Sequence, residues 1–302
     1  MIKRTAMFWS QVIKDSITLW LERNAFSYAG SLAFYTLFSL APTIIIAVTV
    51  IGVVMGEEAA RGQIVSQLQD TLGMDAAVAI EQAVAQSRIE EAGFLPTILG
   101  VGALIVGATT VFAQMQFSLN TIFGVTARPT ANSAFIFIKN RLLSLTVVLA
   151  IGFILLVSLV VGVMIRSMLQ ATDELLPYTG MLAASVESLI SLGVVVMLFA
   201  TIFKVLPDVV LRWQDVLIGA VVTAILFTLG RSVIAIYLAY TATASTYGAA
   251  GSVVMILLWV YYSSLILLFG AAFTRSLLLR RGRDLVPRNS AVIVRREIVD
   301  DK

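Results

Sequence analysis

Apolar residues run through this chain in long, nearly unbroken stretches, and the polar residues are collected between them. Six stretches reach the roughly 20 mostly apolar residues that a membrane-spanning helix needs. They cover residues 28–55, 94–117, 141–165, 181–203, 216–240 and 249–273. Before the first of them, the pattern changes. Phe8, Trp9, Val12, Ile13, Ile17 and Trp20 recur at helical spacing, with Lys14, Asp15 and Glu22 elsewhere on the wheel. That is an amphipathic helix, expected either to lie in the membrane interface with Trp9 and Trp20 as anchors or to pack on the bundle as a cap.

Between the first two spans, residues 57–91 are polar and acidic, with Glu57, Glu58, Asp70, Asp75, Glu81, Glu90 and Glu91. Ile64, Leu68 and Leu72 follow an i, i+4, i+8 pattern that Gly73 ends, and Asp75 can cap a second helix. Two short helices are expected there. The predicted fold class is therefore all-α: a polytopic membrane protein with six transmembrane helices, an N-terminal interfacial amphipathic helix (residues 1–27), short helices in the first external loop (57–91) within the transmembrane domain (28–273), and a basic tail (274–302), whose part beyond Arg280 is expected to lie mostly without fixed structure along an anionic leaflet.

Charge sets the direction. Lys3, Arg4, Lys14 and Arg23 precede span 1; Arg128, Lys139 and Arg141 follow span 2; Lys204 and Arg212 follow span 4; and the tail carries eight basic residues from Arg275 to Lys302. The other side holds only Arg61, Arg88 and Arg166. The positive-inside bias thus predicts cytoplasmic N- and C-termini in a bacterial inner membrane. An even number of spans requires both termini on one side, so the two arguments agree.

Composition excludes several functions. Of 302 residues, 59% are hydrophobic and 13% charged, about half the charged share of a soluble domain; the mean hydropathy is +0.95. There is no cysteine and no histidine. This removes thiolate metal sites, cysteine nucleophiles and the commonest general base. The net charge of +3 reads as cytoplasmic loops, not as nucleic-acid binding. No Gly-x4-Gly-Lys loop and no Gly-x-Ser-x-Gly elbow is present. The expectation is a non-enzyme without catalytic residues, metal or cofactor, whose partners are membrane lipids. A homo-oligomer is not indicated.

Candidate functional residues are the polar ones at membrane depth. Glu187 and Arg231 lie inside the fourth and fifth apolar runs, where a charge costs roughly 3 kcal/mol or more and persists when paired or facing water or protein. Both fall in the predicted outer half, and their small or polar stripes (Ala184, Glu187, Ser191; Thr228, Arg231, Ala235) suit close packing, so they are expected to pair or to line one polar cavity. Pro42 removes a helical hydrogen bond in span 1 and is expected to kink or break it, either at a binding site or as a fixed bend. Tyr35, Gln116 and Asn120 need hydrogen-bond partners, whether in a substrate site or at a helix interface.

Three stretches carry a resemblance. Ala25-Phe-Ser-Tyr-Ala-Gly-Ser-Leu-Ala-Phe-Tyr-Thr-Leu-Phe-Ser-Leu-Ala-Pro42 resembles the opening signature of the YihY/BrkB family of bacterial inner-membrane proteins. Gln116-Phe-Ser-Leu-Asn120-Thr-Ile-Phe-Gly124-Val resembles its asparagine-containing segment. Tyr247-Gly-Ala-Ala-Gly251, Leu258-Trp-Val-Tyr261 and Leu268-Phe-Gly270-Ala resemble its closing signature. The resemblance implies a six-span protein, with some members linked to envelope integrity or lipid-related transport. One departure is Ala272, where members often carry an acidic residue. Part of the family carries the older label ribonuclease BN, which a chain without histidine does not support. Two functions follow as expectations: a transporter or flippase of a lipid-like or amphiphilic envelope substrate, or a non-transporting structural or scaffold protein of the envelope.

Overall fold

A computed structural model describes residues 2–56, 62, 94–128, 179–240 and 249–294. Six helices are seen among them: α1 (Ile2–Glu22), α2 (Ala25–Met55), α3 (Phe94–Phe123), α4 (Thr179–Val205), α5 (Trp213–Tyr240) and α6 (Ala249–Arg280). The last five have 31, 30, 27, 28 and 32 residues, each longer than the roughly 20 needed to cross a bilayer. Among the described residues, the segments Ser188–Val205, Trp213–Arg231 and Ile256–Arg280 are both long and apolar enough to be candidate spans. The all-α membrane architecture is thus the one the hydropathy pattern dictates. The third expected span (141–165) lies outside the described residues, as do almost all of the external loop (57–91) and its two expected helices.

Two boundaries differ from the sequence reading. Helix α6 continues to Arg280, so residues 274–280 belong to a helix and not to the tail. Helix α2 runs through Pro42 without a break. Proline there lacks the N–H that would reach the carbonyl of Phe38, but one missing bond is tolerated in a membrane helix. The nearby Ser39 hydroxyl donates to the Thr36 carbonyl at 3.2 Å.

The tail also departs from expectation. Residues 281–294 are not a solvated string. Ala291–Ile293 forms a strand, β2, antiparallel to β1 (Val125–Ala127) just after α3. The register pairs Val125 with Ile293, Thr126 with Val292 and Ala127 with Ala291. Bonds from Arg128 N to Ser290 O (2.8 Å) and from Val294 N to Gly124 O (2.9 Å) extend the ladder at both ends.

The chain divides into two compact units. Unit 1 holds the described residues of 1–25, 116–230 and 266–302; unit 2 holds those of 26–115 and 231–265. The core of unit 1 is built from Leu119, Ile122 and Phe123 of α3, Ala200 and Phe203 of α4, Val216, Ala220 and Ala224 of α5, and Leu268, Ala271 and Ala272 of α6. In unit 2, α2 and α6 approach at Gly30, whose missing side chain leaves the Tyr261 ring 4.0 Å from where a Cβ would lie.

Small residues set how α5 and α6 cross in unit 1. A Cβ on Gly219 would overlap the Thr274 hydroxyl, and a Cβ on Gly270 would overlap the Thr223 hydroxyl. Gly219 thus faces Thr274 while Thr223 faces Gly270, which makes the two helices antiparallel. Each threonine donates to the carbonyl one turn back on its own helix, Thr223 to Gly219 at 2.6 Å and Thr274 to Gly270 at 2.8 Å. The hydroxyls are therefore satisfied within a close, dry contact of the kind small-residue faces allow.

Helix α1 packs on unit 1, as the capping alternative expects. Val12 packs with Phe273 and Leu277, with Phe8, Ile218 and Val222 around them. Trp9 stacks on Phe273 at 6.3 Å, and Trp20 meets Phe269 edge-on at 6.2 Å. Arg280 Nε donates to Asp15 Oδ2 and its Nη1 to Gln11 Oε1, both at 2.6 Å. Met7, Ile13, Ile17 and Leu21 stay exposed, the last three on one stripe of i, i+4 spacing. One side of α1 caps unit 1, and another presents apolar surface of the kind an interfacial helix buries.

Candidate functional site

Among the described residues, a polar cluster of unit 1 lies where α3, the α4–α5 linker and the tail meet. Its centre is Asp208, which follows Pro207 in the linker. Asn120 Nδ2 donates to Asp208 Oδ2 at 2.8 Å, and Asp208 N donates to Asn120 Oδ1 at 2.8 Å. A backbone N–H can only donate, so this pairing fixes which end of the amide faces the carboxylate. Gln116, one turn earlier on α3, adds a bond from Nε2 to the same Oδ2 at 3.2 Å. Residues i and i+4 share a helix face, which is why these two amides converge on one oxygen.

The tail closes over the cluster. Arg288 N donates to Asp208 O at 2.9 Å, and Val210 N to Val286 O at 2.8 Å. Arg288 Nη2 donates to Lys204 O at 3.1 Å, at the end of α4. The Lys204 ammonium itself donates to the Leu211 carbonyl and lies 5.8 Å from the Trp213 ring centre. Orphan carbonyls at a helix C-terminus favour cations, so both basic side chains sit where the helix end wants them.

A second polar contact lies at the start of α5. Asp215 is buried, in the first turn, where the helix dipole favours a carboxylate. Arg283 Nη1 reaches Oδ1 at 2.7 Å and Oδ2 at 2.6 Å, and Arg281 Nη1 lies 3.7 Å from Oδ1. On the far side of α6, Arg275 Nη1 donates to the Ile122 carbonyl at 2.6 Å and caps α3. Its guanidinium fills the space beside Gly124, whose φ of +74° and lack of Cβ both exclude larger residues. Among the described residues, no three metal-ligating side chains come together.

Of the residues that the sequence singled out, Gln116 and Asn120 are brought together, on a partner the sequence had not indicated. Tyr35 is partly exposed in unit 2, edge-on to Phe34 at 5.8 Å. Arg231 is exposed on α5, flanked by the exposed Leu229 and Val233. Glu187 lies on α4, just before the candidate span Ser188–Val205. Its side chain and that of Pro42 lie outside the described residues, and so does the expected Glu187–Arg231 pairing.

Residues 17–292 match the model of a family described as virulence factor BrkB. The chain belongs to this family. As a BrkB-family member it is an integral membrane protein, and its relatives carry the description UPF0761 membrane protein. That of Azoarcus sp. (strain BH72) is 29% identical over 255 residues, 82% of this chain and 59% of the relative. That of Alteromonas mediterranea is 28% identical over 261 residues, 85% of this chain and 84% of the relative. A shorter match, 37% over 105 residues, covers 34% of this chain and 30% of the protein of Tolumonas auensis. The chain thus spans less than two thirds of the length of the Azoarcus and Tolumonas relatives. No solved structure matches it. The BrkB match takes in the Asp208 cluster and the tail as far as Val292, including Asp215 and Arg283, which sequence reasoning had passed over.

Proposed function

We propose that this BrkB-family protein moves a lipid-like or amphiphilic envelope substrate across the inner membrane, with both termini cytoplasmic. The observation that carries this reading is Arg231. It is a cation inside a long apolar helix and is open to its surroundings. An arginine at that depth needs water or an anion, and the apolar helix that carries it suits an acyl chain, so the chemistry matches a molecule that has both. The charge supplies headgroup attraction, and the helix face supplies the greasy path.

The test is translocation of a fluorescent phospholipid in vesicles containing the full chain, read by quenching of the label left outside. The expected result is protein-dependent translocation that Arg231→Ala abolishes while the protein remains folded. Translocation no faster than in empty vesicles overturns the reading, as does an Arg231→Ala variant as fast as the parent.

A second reading, a non-transporting envelope scaffold, is favoured by the tail: Arg281, Arg283 and Arg288 each hold an acceptor within unit 1, which makes that end a fixed platform. The same vesicle experiment separates the two, because a scaffold predicts no flux.

A further inference from the structure

Three cations gather where α4 ends and α5 begins. Lys204 lies one residue before the end of the candidate span Ser188–Val205, and Arg212 one residue before the start of Trp213–Arg231. Arg288 joins them from the tail through its bond to Lys204 O. Among the described residues, none of the three has a carboxylate within ion-pair distance. The carboxylates closest in sequence are engaged elsewhere: Asp208 accepts from Asn120 and Gln116, and Asp215 from Arg283. An ammonium has three donors, and Lys204 uses one on the Leu211 carbonyl. The Lys204 ammonium also lies 5.8 Å from the Trp213 ring centre, which brings one face of α4 and one face of α5 to the same side of the pair. On α4 that face continues to Met197, two turns before Lys204. On α5 it continues to Leu217 and Val221, one and two turns beyond Trp213. All four of these apolar side chains are exposed. Unpaired positive charge therefore stands at the head of an exposed apolar surface, with a tryptophan at the border between them.

We propose that this place binds an anionic phospholipid. Lys204, Arg212 and Arg288 hold the headgroup phosphate, Trp213 sits at headgroup level, and Met197, Leu217 and Val221 receive an acyl chain. Ammonium and guanidinium groups are the usual partners of phosphate oxygens, and cations without a carboxylate call for a net negative ligand. The position selects a lipid over a free ion, because the cations border two candidate spans and tryptophan is the residue type that settles at that level. The site uses none of the residues on which the transport reading rests and holds for a static protein as well.

Binding is measured on the purified full chain in detergent, by native mass spectrometry with added phosphatidylglycerol or phosphatidylcholine, and by thermal protection with either lipid or with inorganic phosphate. The expected result is preferential retention of phosphatidylglycerol, about fivefold weaker in Arg212→Gln and in Lys204→Gln, the weight of one basic residue beside an anionic headgroup. Arg4→Gln, which removes an exposed cation from α1, should bind as the parent does. Equal retention of the two lipids overturns the proposal, and so does an Arg212→Gln variant that binds as the parent does. A loss in Arg4→Gln as large as that in Arg212→Gln also overturns it, since general surface charge would then account for binding. Protection by inorganic phosphate as strong as that by phosphatidylglycerol overturns the lipid assignment. Lys204→Gln also removes the bond to Leu211; should it fail to fold, Arg212→Gln decides alone, because that side chain holds no other group among the described residues. A chain that retains phosphatidylglycerol yet translocates no lipid keeps this site and loses the transport reading.

Discussion

Asn120 holds Asp208 at two points, its Nδ2 on the carboxylate and its Oδ1 on the backbone N–H, each at 2.8 Å. The pairing ties the last turn of α3 to a linker 88 positions later in the chain. Asn120→Ala leaves the carboxylate with Gln116 alone and strips the acceptor from Asp208 N–H. A loss of about 2–3 kcal/mol is expected, from one charged and one neutral hydrogen bond. Asn120→Asp should be worse, since it sets two carboxylates against each other. Thermal unfolding in detergent, followed by tryptophan fluorescence, checks the order parent, Ala, Asp; an alanine variant as stable as the parent removes the cluster from the account.

The reciprocal contact of glycine and threonine between α5 and α6 predicts a rescue. Gly219→Ala pushes a methyl into Thr274 and should cost about 1–3 kcal/mol. The double variant Gly219→Ala, Thr274→Ala opens the space again and should regain most of that loss. A double-mutant cycle on melting temperature measures the coupling, and simple additivity would contradict the geometry.

For Asp215, the expected cost of replacement is larger than that of an ordinary surface pair. The carboxylate side chain is only 3% exposed, whereas Arg283 is 36% exposed and partly screened. Asp215→Asn should destabilise by about 2–3 kcal/mol, below the roughly 3–5 kcal/mol of a fully buried broken pair. Arg283→Lys should lose less, because a lysine keeps the charge. Limited proteolysis within 281–294 offers the readout: faster cleavage in Asp215→Asn, and parental cleavage in a control such as Ser290→Ala.

Topology gives the fourth test. A cysteine at Gln69 should react with an impermeant maleimide in intact spheroplasts, and one at Ser290 only after lysis. The reverse pattern would invert the positive-inside assignment.

Hydropathy made α4, α5 and α6 legible because a bilayer forces backbone bonds inward and side chains outward, and both demands are written locally. The polar contacts were half legible. Gln116 and Asn120 stood out because amides at membrane depth need partners, yet the partner was hidden: nothing in a sequence brings Asp208 into register with a helix 88 positions earlier. Asp208 does follow Pro207 directly after an apolar run, which was the one local signal available. The tail misled through its composition. The six basic residues beyond Arg280 read as a lipid-hugging arm, but Arg281, Arg283 and Arg288 have specific acceptors, and a three-residue strand is too short to announce itself by alternation. The sixth helix outran its apolar run because Thr274, Arg275 and Ser276 are polar while still packed inside unit 1.

The pairing of β1 with β2 also sets an order of events during synthesis. Val125 leaves the ribosome long before Ile293, and the span expected at 141–165 must enter the membrane in between along with α4, α5 and α6. Until then the edge of β1 and the carboxylates of Asp208 and Asp215 face a compartment full of competing partners. Closure is therefore a late, long-range step with a high entropic threshold, and it couples insertion of the helices in between to burial of a single short strand. A chain that crossed the bilayer once too often or once too few would leave β2 on the far side, unable to reach its mate.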